Sequence, residues 1–129
     1  MLFVEHLVLL KVKRPPTEEE LKRIQSLTAI KGVAFVSAGP NYTKRGQGYN
    51  FGIVVRLTSK EAEAAYQTDP LHVDVRDSVI KPLLDTSQPA PVLAMDYEHN
   101  QRPKWALFAL GFVAGVLATG LASRIRARP

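Results

Sequence analysis

Phe3 to Lys13 reads FVEHLVLLKVK, and the reading of this stretch decides the fold. Apolar and β-branched residues dominate it, the composition of a strand. Its even positions carry Val4, His6, Val8, Leu10 and Val12, and its odd positions carry Phe3, Leu7 and Leu9. Successive strand side chains point to opposite faces. An antiparallel strand with one wet face therefore alternates apolar with polar, yet here both faces are apolar in the middle. Helices account for one covered face. A second copy of the chain, packed sheet to sheet, accounts for the other, so a homodimer is expected.

Working outward, Pro15-Pro16 ends this strand. Thr17 followed by Glu20 forms a capping box, and Leu21, Ile24, Leu27 and Ile30 recur every third residue as one apolar stripe. The acids Glu18, Glu19 and Glu20 suit a helix N-terminus. Lys31-Gly32 closes that helix. Val33 to Ala38 is a second strand, and Gly39 to Gly48 is a loop. Tyr49 to Leu57 is a third strand, with Tyr49, Phe51, Ile53, Val55 and Leu57 on one face. Ser59 caps the helix SKEAEAAYQTD, which Asp69-Pro70 interrupts. A second helical piece runs from Leu71 to Leu84, and Val92 to Tyr97 is the last strand. The order β-α-β-β-α-β predicts an α+β, ferredoxin-like protomer with helices on one face of a four-stranded antiparallel sheet.

The charge divides the chain. Its net charge is +5, but residues 1–100 hold 12 basic and 12 acidic side chains. The excess is Arg102, Lys104, Arg124, Arg126 and Arg128. A neutral domain lacks the field that drives phosphate binding, so no nucleic acid is expected as a partner. Between those basic residues, Trp105 to Ala122 reads WALFALGFVAGVLATGLA without a charge. Eighteen residues at about 1.5 Å each span roughly 27 Å, near the thickness of a bilayer core. The expected organisation is a domain over 1–99, a linker at 100–104, a transmembrane helix at 105–123 and a basic tail at 124–129. The helix would be a single-pass, C-terminal anchor in membrane lipid, inserted after synthesis, with the N-terminal domain in the cytosol. Residues 1–12, with Glu5, His6 and Lys11, do not form a signal peptide. Gly111 with Gly115, and Ala114 with Ala118 and Ala122, offer small-residue rows on which two anchors could pair, or simply an Ala/Gly-rich anchor.

Five segments follow in an order that resembles the stress-responsive dimeric α/β barrel (A/B barrel) family. They are VEHLVLLKVK, TEEELKRIQSL, KGVAFVSAGPN, GYNFGIVVRLTS and EAAYQTDPLHVDV, and the resemblance covers roughly residues 3–98. The most specific pieces are Val4-Glu5-His6 and the pattern from Tyr66 through Pro70 to His72-Val73. The resemblance implies a ferredoxin-like protomer whose sheet packs on a partner's sheet. It also implies a cavity between helices and sheet, with a pocket at His6, Phe51, Tyr66 and His72. In one branch, similar to olivetolic acid cyclase, a tyrosine and a histidine close a polyketide without cofactor. Those two roles fall on Tyr66 and His72. A third-strand histidine of the cyclase falls on Phe51, which removes a polar group from the pocket.

On chemistry alone, His72 is the best candidate base and Tyr66 a donor to a developing oxyanion. The alternative is that His72 orders the helix break after Asp69-Pro70, with Tyr66 packed beneath it. His6, on an apolar strand face, fits a satisfied core histidine, and His99 a solvated one. There is no cysteine, the three histidines have no metal-ligand spacing, and Asp69, Asp74 and Asp77 lack the pattern of a calcium loop. Neither a metal nor a cofactor is expected. The readings left standing are a membrane-anchored domain that binds a small apolar or amphipathic ligand, a cofactor-independent cyclase or lyase on polyketide-like substrates, and a non-catalytic dimerisation module.

Overall fold

The computed structural model describes Leu2–Asn100; the expected transmembrane helix at 105–123 and the basic tail lie outside the described residues, as does the linker after Asn100. Leu2–His99 form one compact unit. No helix among the described residues is long and apolar enough to cross a membrane.

Four strands, β1 (Leu2–Leu10), β2 (Val33–Pro40), β3 (Phe51–Leu57) and β4 (Val92–Asn100), form one sheet in the order β2-β3-β1-β4. β3 pairs antiparallel with both β1 and β2, setting His6 opposite Val55 and Leu10 opposite Phe51. Four helices, α1 (Glu18–Gln25), α2 (Lys60–Thr68), α3 (Pro70–Val75) and α4 (Lys81–Leu83), complete the ferredoxin-like order. The even face of β1 is packed: Val4 and Leu10 join Val55 and Leu57 of β3 and Ile24, Leu27, Val75 and Leu83 from the helical side in one core.

β1 stops at Leu10, not Lys13, because its partner runs out. β3 begins at Phe51, and Asn50 meets Val12 with its side chain: Val12 N–H donates to Asn50 Oδ1 at 2.8 Å, and Asn50 Nδ2 donates to the Val12 carbonyl at 2.9 Å. Val12 then bridges Leu84. β3 does not include Tyr49, because the left-handed turn at Gln47 and Gly48 immediately precedes it. The stripe Leu21, Ile24, Leu27, Ile30 is also not all α-helix. After Gln25 the chain tightens into a 3₁₀ turn, Ser26–Ala29, whose three-residue period keeps Leu27 and Ile30 on the buried side.

The expected helix over 71–84 is broken as well. Lys81 N–H bonds to the Arg76 carbonyl, five residues back, closing a π turn over Arg76–Ile80. Pro82 accounts for the widening: it has no N–H to give to residue 78, and its ring crowds that carbonyl. β4 is longer than expected, reaching Asn100.

Among the described residues, no helix packs on the odd face of the sheet. Leu9, Phe35, Leu93, Met95 and Tyr97 are all exposed large side chains, Met95 at 57%. In their midst Glu5 is buried. Its Oε1 accepts from Arg56 Nε at 2.6 Å and from His99 Nε2 at 2.9 Å. His99 is therefore not a solvated histidine; Phe3 and Tyr97 also lie beside its ring.

Candidate functional site

The local chain explains how the site is assembled. Ser59 caps α2 by accepting from Ala62 N–H. α2 ends at Asp69, whose extended backbone turns the chain, and whose carboxylate accepts from Leu71 N–H at 2.9 Å to start α3. Pro70 occupies the first turn, where no N–H is needed. The turn brings His72 back over Tyr66, with ring centroids 4.3 Å apart and planes at 36°. On the other side of Tyr66, the His6 ring lies 6.0 Å away, edge-on at 63°. Three of the four expected pocket residues thus meet.

Phe51 does not. It shares their face of the sheet but lies four residues along β3 from Val55, the residue opposite His6. At about 3.3 Å per residue that is roughly 13 Å away. Phe51 is buried in the core and lines a separate depression with Leu9, Tyr49 and Leu93.

His6, Tyr66 and His72 line a cavity of about 280 Å³ between the sheet and the helices. Its walls are largely apolar: Val8, Leu10, Ile53 and Val55 from the sheet and Leu27, Val75 and Ile80 from the helical side. Its size is near the lower edge of the ~300–1,000 Å³ usual for small-molecule sites. Tyr66 is 2% exposed, yet its hydroxyl makes no hydrogen bond among the described residues. Burial raises the Tyr66 pKa well above the ordinary phenol value of 10, so the group stays protonated as a donor.

His72 is fixed as the opposite kind of group. Its Nδ1 lies 3.2 Å from the Gln67 carbonyl, which can only accept, so Nδ1 carries the proton and Nε2 keeps its lone pair. Burial, reinforced by the charges of Arg76 and His6, lowers the His72 pKa below its usual 6.5. His72 is thus neutral at neutral pH. A neutral imidazole acceptor and a protonated phenol, side by side in an apolar cavity, can move a proton and stabilise an oxyanion. The same geometry has His72 ordering the helix break, so the two readings of this residue are compatible.

His6 is held by a partner distant in sequence. Its Nδ1 lies 2.5 Å from Asp96 Oδ1 on β4, which fixes the ring. Ligand atoms of His6, Asp96 and Glu63 fall within 4.8 Å of one another, making this the one group among the described residues that could hold a metal ion. No spacing motif marks it, since the three residues come from β1, α2 and β4. Asp69, Asp74 and Asp77 do not converge. Asp69 caps α3, Asp74 pairs with Arg23 at 2.5 Å, and Asp77 pairs with Arg76 and Lys81.

Solved structures share this arrangement of elements. The chain is similar to the Arabidopsis thaliana protein At3g17210 at 26% identity and a TM-score of 0.63, covering 78% of this chain and 98% of that one. A dimeric ferredoxin-like protein from Jannaschia sp. CCS1 is similar at 22% identity and a TM-score of 0.54, over 74% of this chain and 97% of that one. The hydroxynitrile lyase of Passiflora edulis matches at 12% identity and a TM-score of 0.58, over 78% and 96%, a likeness of fold alone. A comparison with curated proteins finds no match. The expected family is met across the domain: residues 4–99 match the stress responsive A/B barrel domain, and the chain belongs to that family.

Proposed function

We propose that this A/B barrel domain binds a small, largely apolar molecule in the cavity beside Tyr66 and His72, as a homodimer anchored to a membrane by residues 105–123. One observation carries the ligand: a buried phenol opens onto an apolar cavity of about 280 Å³ without a hydrogen-bond partner among the described residues. Among the described residues Glu5 Oε2 is the one fully buried polar side-chain atom left unpaired, so the Tyr66 oxygen reaches open cavity space, where a ligand acceptor could take its hydrogen bond. An open cavity also weighs against a purely structural dimerisation module. The homodimer is supported by the uncovered apolar face of the sheet and by dimeric relatives. The anchor is supported by the uncharged run from Trp105 to Ala122.

The test is organic extraction of the purified full-length protein, followed by mass spectrometry. A small molecule is expected from the wild type and not from Ala94→Trp, which fills the cavity from β4. An empty wild-type cavity across several membrane sources sinks the reading.

A second reading has its own observation. The protonation states of His72 and Tyr66 are those a cofactor-independent cyclase or lyase needs. His72 Nε2 would take a proton from carbon beside a carbonyl, and Tyr66 would hold the oxyanion that forms. His72→Ala with unchanged turnover of polyketide-like substrates removes that role.

A further inference from the structure

Two cations stand at the rim of the cavity. Arg76 and Lys81 both line it, and their side chains are 43% and 60% exposed. They are five residues apart, and on a regular α-helix that spacing turns two side chains roughly 140° from each other. The π turn removes the divergence. Lys81 N–H bonds directly to the Arg76 carbonyl, so one residue stacks over the other. Such turns recur at functional sites because they re-aim side chains. Here a single carboxylate holds both cations: Asp77 Oδ1 lies 2.9 Å from Arg76 Nε and 2.9 Å from Lys81 Nζ. Two positive charges against one negative leave the rim with a net positive charge.

Resting on the ligand-binding reading, we propose that the cavity selects an amphipathic anion: a small molecule with an apolar body and one carboxylate head. The body lies against Val8, Ile53 and Val55, and the head is held by Arg76 and Lys81. A wholly apolar ligand has no use for paired cations at the rim. A carboxylate takes a planar guanidinium in two parallel bonds, with the ammonium as a second donor. In this orientation the head lies on the helical side of the cavity, near His72. The Arg76 charge weakens proton binding at His72. A carboxylate on Arg76 offsets that charge, so the His72 pKa is expected to rise when the anion binds.

Octanoate and 1-octanol, which differ chiefly in the head group, test this. The full-length protein is titrated with each at pH 8, with the His72 ring followed by NMR and its pKa measured in both complexes. Octanoate is expected to bind at least about tenfold tighter than octanol, although octanol is the more hydrophobic of the two. The His72 pKa is expected to rise with octanoate and not with octanol. Arg76→Gln combined with Lys81→Gln should abolish the preference while octanol still binds. Asp77→Asn, which removes the competing carboxylate, should tighten octanoate. Equal or tighter binding of octanol by the wild type overturns the anion inference and leaves the ligand-binding reading standing. Binding of neither overturns both.

Discussion

Tyr66 and His72 carry opposite demands in one apolar setting, and their titrations expose this. The pKa of Tyr66 is raised by burial. Below pH 10 both folded and unfolded phenols are protonated, and the preference of the buried site for the neutral form is fully present. As pH rises past 10 the unfolded chain ionises and the folded one resists, so stability falls. The His72 pKa is lowered, chiefly by burial. Above pH 6.5 its neutral form serves both states; as pH falls below 6.5 the unfolded chain takes the proton first, and stability falls again. Thermal melting across pH should therefore show losses at both ends. Tyr66→Phe is expected to remove part of the alkaline loss, and His72→Ala part of the acid loss. Superimposable wild-type and Tyr66→Phe curves above pH 10 would show that the phenol is not held in an apolar site. Both residues could be picked from the sequence by side-chain chemistry and family resemblance, although their spacing across Pro70 left open whether they meet. Asp96 could not, since it is 90 positions from the His6 it holds.

Among the elements, those specified by neighbouring residues were legible and those specified by distant ones were not. Thr17, Ser59 and Asp69 all cap helices, as short polar side chains before an apolar run should. The π turn escaped because the apolar pattern of 71–84 fits a helix, and only the ladder of hydrogen bonds shows where Pro82 forces an extra residue. Phe51 was assigned to the pocket by resemblance alone; strand period agrees on the face, but Phe51 lies four residues along β3 from Val55, the residue opposite His6. Gly32 joins the local and distant causes. Its φ of +89° is one that side chains resist, and a Cβ there would lie 2.6 Å from the Ala62 Cβ of α2. Gly32→Ala is therefore expected to destabilise the domain by about 1–3 kcal/mol, combining a strained turn with overpacking. For a domain near 100 residues each kcal/mol lowers Tm by roughly 4–8 °C. A melting temperature unchanged within 2–3 °C, about half of one such step, would mean that β2 and α2 are not in this close contact.

At the scale of the whole molecule, the chain combines a domain of balanced charge with an uncharged segment flanked by basic residues. A chain ending at Asn100 should stay in the aqueous phase while the full-length chain fractionates with membranes; equal solubility without detergent would remove the anchor. The two-sided apolar character of the first strand has a similar consequence for assembly. Its even face is closed by helices, while its odd face lies beside exposed Leu93, Met95 and Tyr97 of β4. Buried Glu5 lies within that same face, and its Oε2 has no hydrogen-bond partner among the described residues. Covering the face with a second sheet would bury the apolar side chains at about 25 cal/mol per Å². A charge placed there would be desolvated instead. Met95→Asp is therefore expected to shift the protein from dimer to monomer in sedimentation experiments while leaving the fold intact, because Met95 is exposed in the single protomer. Met95→Leu, which keeps the apolar surface, should remain dimeric. A Met95→Asp protein that sediments as a dimer at micromolar concentration would place the subunit contact elsewhere than on this sheet.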